Sequence, residues 1–242
     1  MMRTTRNLWL ALGAVLLCFA PCALGQGQVN IDLTSAGNNV MDGVYVGPYN
    51  ATVNGKSTQI ICDDFVDDSY VGESWTANVT TLSNLNGTKW GGMANATQLY
   101  DEAAWLATQM LSPVYSGNAT QVGYLAYALW AVFQPSAVKS WLGATSPTWL
   151  AVQGWLNFAA AQHFTPNEFA NFFLYTPNLS DPITCNGGKC ATTPPQEFFG
   201  FLSAAEGGST LIYVLFTTLA CLGAIWFRSR RQIEARVSAI QA

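Results

Sequence analysis

The segment Tyr49-Asn-Ala-Thr-Val-Asn-Gly-Lys-Ser-Thr-Gln-Ile-Ile-Cys62 decides the fold class of the main body of the chain. Its central Asn54-Gly55 pair favours the two-residue hairpin turn in which both residues take positive φ. The flanking residues are rich in β-formers. The segment therefore predicts a hairpin of strands Tyr49–Val53 and Ser57–Cys62, and the next β-rich stretch predicts a strand over Glu73–Val79.

Further along the chain the apolar residues recur at helical spacing, over residues 99–110 and 122–132. Ser146 before Pro147 predicts the start of a third helix. That helix is expected to bury three residues: Leu150, Trp155 and Phe158. Two aromatic stretches predict late strands: Phe172–Tyr175 and Phe198–Leu202. The sequence thus predicts an α+β domain that is β-rich at both ends with a helical middle.

The beginning of the chain has the pattern of a secretory signal peptide. Arg3 and Arg6 precede an apolar stretch over Leu8–Ala20, and small residues follow at the positions that a signal peptidase reads. We therefore expect residues 1–25 to be a signal peptide and residues 26–205 to be an exported domain.

The segment Leu211–Phe227 is predicted to be a single transmembrane helix. It holds seventeen residues and no charge, and at about 1.5 Å per residue it would rise roughly 25 Å, close to what a membrane core requires. Arginines follow it directly and are expected to stay in the cytoplasm. Residues 206–231 then comprise a sorting motif, the helix and an arginine cluster, and residues 232–242 form a cytoplasmic tail.

The charge balance narrows the classes of partner. Between residues 26 and 206 there are thirteen Asp and Glu against four Lys, a net charge of −9, whereas the whole chain carries −4. Such a body repels nucleic acid and anionic lipid. We expect no nucleic-acid partner, and no motif in the sequence calls for a cofactor.

The cysteines of the body agree with export. Cys185 and Cys190 flank the turn-forming sequence Asn-Gly-Gly-Lys, so a local disulfide is expected in an oxidising compartment. Cys62 then remains unpaired, and an odd thiol in an exported domain calls for an explanation.

The end of the chain resembles the sorting signal of the PEP-CTERM family, the bacterial substrates of exosortases. The residues that carry the resemblance are a short polar motif, the apolar helix and an arginine cluster: Glu206, Gly207, Gly208, Arg228, Arg230 and Arg231. Ala205 stands where the family usually has proline. The resemblance implies an exosortase-type sorting peptidase as partner, and transfer from the inner membrane to the cell surface or extracellular matrix. An ordinary single-span anchor is the alternative.

The body resembles the thioester-type domains of some exported proteins and adhesins. Three segments carry the resemblance: Cys62-Asp63-Asp64, Ala103-Ala104-Trp105-Leu106 and Ala126-Tyr127-Ala128-Leu129-Trp130. In those domains a cysteine and a glutamine form an internal thioester that captures amines. Ala126 occupies the position of the glutamine, so the resemblance implies the scaffold without the thioester. A bond between Cys62 and another glutamine remains an alternative.

An acidic run follows Cys62 and offers a candidate calcium site at Asp63, Asp64, Asp67 and Asp68. The spacing does not match an EF-hand loop, and a solvated acidic loop is the alternative. The only histidine, His163, has no catalytic motif around it. A secreted hydrolase that uses Asp64 and Asp67 is a further alternative.

Taken together, these patterns predict an exported cell-envelope or matrix protein with a structural or adhesive role and no enzymatic activity. Its expected partners are the membrane, the sorting peptidase and an extracellular polysaccharide. Trp90, in a glycine-rich loop, is the candidate for stacking on a sugar ring.

Overall fold

The computed structural model describes residues 27–185 and 192–201, which form an α+β domain. Its strands in chain order are β1 Gln28–Ser35, β2 Val40–Met41, β3 Val44–Tyr45, β4 Tyr49–Val53, β5 Lys56–Cys62, β6 Glu73–Thr81, β7 Phe172–Pro177, β8 Thr184–Cys185 and β9 Phe198–Phe201. Its helices are α1 Ala96–Leu111, α2 Ala119–Phe133, α3 Pro135–Leu142 and α4 Pro147–Ala160. The predicted arrangement, with strands at both ends and helices in the middle, is confirmed.

Six strands close into an antiparallel ring in the order β1-β4-β5-β9-β7-β6, because β1 pairs with both β4 and β6. Short β8 pairs with the start of β6, and β2 and β3 form a separate small hairpin. Closure leaves these six strands few free edges, which removes a common route to aggregation. The strands contribute the following buried apolar residues to the core: Ile31, Leu33, Ala51, Ile60, Trp75, Ala77, Leu174 and Phe198.

The hairpin that the sequence predicts is present. Asn54 has φ 49° and Gly55 has φ 76°, as the two-residue turn requires. Val53 faces Lys56 across it, so β5 begins one residue earlier than predicted. This register places Cys62 at the end of β5, opposite Phe198 of β9.

The helices pack together, with α2 at the centre against α1, α3 and α4. Nearly all of α2 from Val122 to Phe133 is buried, which agrees with a helix that carries no charged residue. The helical spacing over residues 99–110 and 122–132 is confirmed by α1 and α2. Ser146 caps α4 as predicted, because its side chain accepts a hydrogen bond from Trp149 N at 3.0 Å.

The predicted buried face of α4 is wrong at two of its three positions. Leu150 and Phe158 are 59% and 61% exposed, whereas Trp155 is partly buried against the core, and the buried positions are Trp149, Val152 and Ala159. The helix is apolar on more than one side, so the pattern alone does not decide which side is buried. The short helix α3, which starts two residues after α2 ends, was not predicted at all.

In the part of the chain that the structure describes, no helix combines the length and the hydropathy that membrane crossing needs. The predicted transmembrane helix Leu211–Phe227 lies outside the described residues, and so do the signal peptide and the sorting residues Glu206, Gly207, Gly208, Arg228, Arg230 and Arg231. These remain predictions. The same holds for the disulfide, since Cys190 is not among the described residues.

Candidate functional site

Cys62 is a free, buried thiol held inside the loop that follows β5. Its sulfur accepts a hydrogen bond from Asp64 N at 3.3 Å and donates to Asp64 O at 3.0 Å. The Trp130 indole of α2 donates to Cys62 O at 2.9 Å. Burial raises the pKa of the Cys62 thiol well above its usual range, and the neighbouring Asp64 and Asp63 add to the rise. The thiol is therefore protonated near neutral pH and weakly nucleophilic.

Two glutamines contact the loop beside Cys62. Gln134, at the end of α2, accepts a hydrogen bond from Phe65 N at 2.6 Å. Gln196 donates through Nε2 to Asp64 O at 2.7 Å, the same oxygen that Cys62 contacts. The Gln196 amide and the Cys62 sulfur are thus neighbours around one carbonyl group. Sequence reasoning missed both glutamines, since neither lies at the position of the resembled motif.

Lys89 neutralises part of the acidic run. Its ammonium forms ion pairs with the fully buried Asp64 and with Asp67. Burial acts to lower the pKa of Lys89, but the hydrogen bonds to the two carboxylates outweigh it, and the pKa is raised. The lysine occupies the place between these carboxylates that a calcium ion would need.

The calcium site predicted at Asp63, Asp64, Asp67 and Asp68 is therefore not supported. Asp63 lies beside Glu197, and Asp68 is exposed. Among residues 27–185 and 192–201, no group of three acidic, histidine or cysteine side chains is arranged to hold a metal ion. The alternative of a hydrolase that uses Asp64 and Asp67 is not supported either, because both carboxylates form ion pairs with Lys89.

Glu197 is the centre of a second, fully buried network. Its carboxylate accepts hydrogen bonds from Tyr100 Oη at 2.5 Å, from Lys89 N at 2.9 Å and from the Thr176 hydroxyl. These three donors satisfy both oxygens of a carboxyl group that is fully buried.

Asp63 faces this carboxylate. Its backbone N donates to Glu197 O at 3.3 Å, which continues the β5–β9 pairing. Among the described residues no donor reaches either Asp63 carboxyl oxygen, yet the side chain is within hydrogen-bonding range of Glu197. Two carboxyl groups share a hydrogen bond only if one holds a proton. Burial, then Glu197, then Asp64 raise the pKa of Asp63 well above its usual range, so Asp63 is the neutral donor.

An open cleft of about 310 Å³ lies next to the Cys62 loop. One wall is the β2–β3 hairpin with Tyr45, the other is the loop over residues 64–71 with Tyr70, and Tyr49 and Trp130 contribute to its lining. Tyr45 and Tyr70 are 52% and 39% exposed. Trp141, 54% exposed, adjoins the cleft, since its ring lies 6.0 Å from that of Phe65 and its indole donates to the Asp42 carbonyl at 3.2 Å.

The loop wall of the cleft is held by hydrogen bonds along its length. Glu73 accepts from Tyr70 N at 2.8 Å, and Ser69 Oγ accepts from Gln196 N at 3.0 Å. Phe65 N is bound by Gln134, as described above. A wall fixed at several points needs little reorganisation when a ligand enters, which favours binding.

Trp90, the sequence's candidate for stacking on a sugar ring, packs against other residues of the domain. Its ring stacks on Phe133 at a centroid distance of 5.5 Å and an angle of 11°. Lys89 Nζ lies 5.2 Å from the ring centroid. Both contacts tie Trp90 to the domain, whereas Tyr45 and Tyr70 are exposed on the walls of the cleft.

A larger groove of about 420 Å³ runs between the end of β6 and residues 164–170. It contains Asp101, whose pKa is raised by partial burial and then by the nearby Glu168. Glu168 already accepts hydrogen bonds from Thr165 N and Oγ, at 2.9 and 3.2 Å. Glu168 therefore stabilises the turn that begins at Thr165.

No family model, curated protein or solved structure matches this chain.

Proposed function

We propose that this is an exported, non-enzymatic protein of the cell envelope or extracellular matrix with an adhesive or structural role. The patterns of residues 1–25 and 206–231 support export and exosortase-type sorting. The observation that carries the adhesive role is the aromatic cleft, which is open to solvent while the reactive groups beside it are enclosed.

The chemistry of the enclosed groups supports a role without catalysis. Cys62 is 2% exposed and protonated, and Asp63 and Glu197 are fully buried. A general acid or nucleophile must reach its substrate to act. These groups instead hold the loop that forms one wall of the cleft.

Protease treatment of intact cells tests this proposal. We expect peptides from residues 27–201 to be released from the surface while a cytoplasmic marker protein stays intact. Recovery of those peptides only after lysis would contradict export to the surface. If the body is released but Arg228 and its neighbours remain in the membrane fraction, the ordinary anchor replaces exosortase sorting.

A covalent adhesin is the second candidate, and the proximity of Gln196 to Cys62 favours it. In such a reaction the sulfur adds to the Gln196 amide carbon, the carbon–nitrogen bond breaks, and the nitrogen leaves as ammonia with the thiol proton. The raised pKa of Cys62 opposes this step, because only the thiolate attacks readily.

Intact mass separates the two candidates. We expect wild-type protein and a Gln196→Ala variant each to match their sequences after correction for the two hydrogens lost in the Cys185–Cys190 disulfide. A wild-type mass lower by one ammonia, restored in both Gln196→Ala and Cys62→Ala, would establish the thioester. Trapping of methylamine by wild-type protein alone would independently establish the same bond.

A further inference from the structure

We propose that the cleft between the β2–β3 hairpin and loop 64–71 binds an amino-sugar unit, a pyranose ring that carries a protonated amine. The ring would stack on Tyr45 or Tyr70, and the ammonium group would face Asp68. This inference rests on the proposed adhesive function and specifies its ligand.

The aromatic residues of the cleft have faces available for a ligand. The ring–ring contacts within residues 27–185 and 192–201 do not include Tyr45 or Tyr70, although both line the cleft and are well exposed. Val40, Val66 and Val71 are also 58%, 59% and 47% exposed, and they lie in the same hairpin and loop. Exposed apolar residues in the two walls of one cleft favour an interaction surface there, and the C–H face of a pyranose is a suitable partner for a tyrosine ring.

The charges of the cleft select for a cationic ligand. Asp64 and Asp68 both line it, and none of the three lysines that the structure describes does. Asp64 is neutralised by Lys89, whereas the described ion pairs leave out Asp68, which is exposed. The residues that the structure describes carry twelve Asp and Glu against three Lys, so the surrounding field is negative. An ammonium group gains from this field and from the tyrosine faces, whereas an anionic sugar is repelled.

The size and polar groups of the cleft suit one sugar ring. Its volume of about 310 Å³ is at the small end of ligand pockets, which span roughly 300–1,000 Å³. Ser69 Oγ accepts from Gln196 N, which leaves the hydroxyl proton free to donate towards the cleft. Because the cleft is open to solvent, the ring can belong to a longer polysaccharide that continues on both sides.

Calorimetric titration of the full chain with three matched oligosaccharides tests the inference. The probes are a glucosamine tetramer, its N-acetylated form and cellotetraose, which differ chiefly at position 2 of each ring. We expect the glucosamine tetramer to bind at least about tenfold more tightly than the other two, equivalent to about 1.4 kcal/mol, and its affinity to fall with added salt.

Point variants locate the site. Tyr45→Ala, Tyr70→Ala and Asp68→Asn should each weaken binding of the glucosamine tetramer several-fold, while Tyr45→Phe retains it. Phe158→Ala and Asp181→Asn, matched changes outside the cleft, should leave it unchanged. Thermal melts confirm that each variant is folded before it is titrated.

Each outcome has a fixed meaning. Equal affinity for the three tetramers overturns the role of the amine, and equal losses in the cleft and control variants overturn the location. Absence of binding by folded wild-type protein overturns the ligand. Surface release of the body in intact cells would still stand in that case, so failure of this inference is distinguishable from failure of the proposed function.

Discussion

Substitution of Asp63 by Asn tests the shared proton that links β5 to β9. Asp63 is fully buried beside the Glu197 carboxylate, and burial followed by that charge raises its pKa well above the usual range. In the unfolded chain the carboxyl should titrate near its ordinary value of about 3.9. Above about pH 4 the folded protein therefore keeps a proton that the unfolded chain releases.

The size of the effect follows from proton linkage. A group whose folded pKa is raised contributes stability at low pH that is lost as pH rises towards the folded pKa. The loss is about 1.4 kcal/mol per pH unit for one proton. Asp63→Asn keeps the shape and a hydrogen-bond donor to Glu197 but removes the titration. Relative to wild type, the free energy of unfolding of the variant should thus increase by about 1.4 kcal/mol per pH unit from about pH 5 up to the folded pKa of Asp63.

Urea unfolding of the full chain at a series of pH values measures this difference. Asp32→Asn is the informative control, because hydrogen bonds from Ser74 and then Thr52 lower the pKa of Asp32. Its stabilising contribution is present above the ordinary pKa and is lost as pH falls through the lowered folded value, which lies below the window used for Asp63. If the difference between Asp63→Asn and wild type stayed constant from pH 5 to higher pH, the shared-proton geometry would be refuted.

Three further predictions concern the packing around the site. Cys62, buried and protonated, should react with a thiol reagent far more slowly in the folded protein than in urea, and equal rates would show that the loop opens freely. Lys89→Met should lower the free energy of unfolding, measured in urea, by about 2 kcal/mol, which is less than the roughly 3–5 kcal/mol typical of a fully buried pair because the lysine is 26% exposed. The control Lys139→Met, at an exposed position, should lower it by under about 0.5 kcal/mol. Equal losses in the two variants would show that the ion pairs of Lys89 do not stabilise the fold. Gly200→Ala should lower the free energy of unfolding by about 1–3 kcal/mol, because the added methyl group would overlap the Tyr175 ring. The loss should be smaller when Tyr175 is also replaced by Ala. An equal loss in that background would show that the backbone at Gly200, and not the contact with Tyr175, causes the effect.

The local features of the fold were predictable because each depends on neighbouring residues. Asn54 and Gly55 determine a turn by their own backbone preferences, and Ser146 caps the helix that starts directly after it. Closure of the ring through β1 and β6 was not predictable, since those strands pair over forty residues apart. The buried face of α4 was wrong because the helix is apolar on more than one side.

The candidate site was predictable only in part. The motif around Cys62 indicated the right strand end, and the acidic residues after it do belong to the site. Their roles depend on distant partners, however, since Lys89 binds Asp64 from 25 residues away and Tyr100 reaches Glu197 from 97. Neither spacing corresponds to a motif. Trp90 was only a candidate for an exposed stacking residue, and its loop gave no indication of the stacking on Phe133 that the structure shows.

Intact mass spectrometry of protein released from the surface of living cells tests export and sorting most directly. The proposal predicts a chain that begins at Gln26 and lacks Arg228, Arg230 and Arg231, with no thioester between Cys62 and Gln196. A surface-released chain that retains both its first 25 residues and its arginine cluster would contradict it.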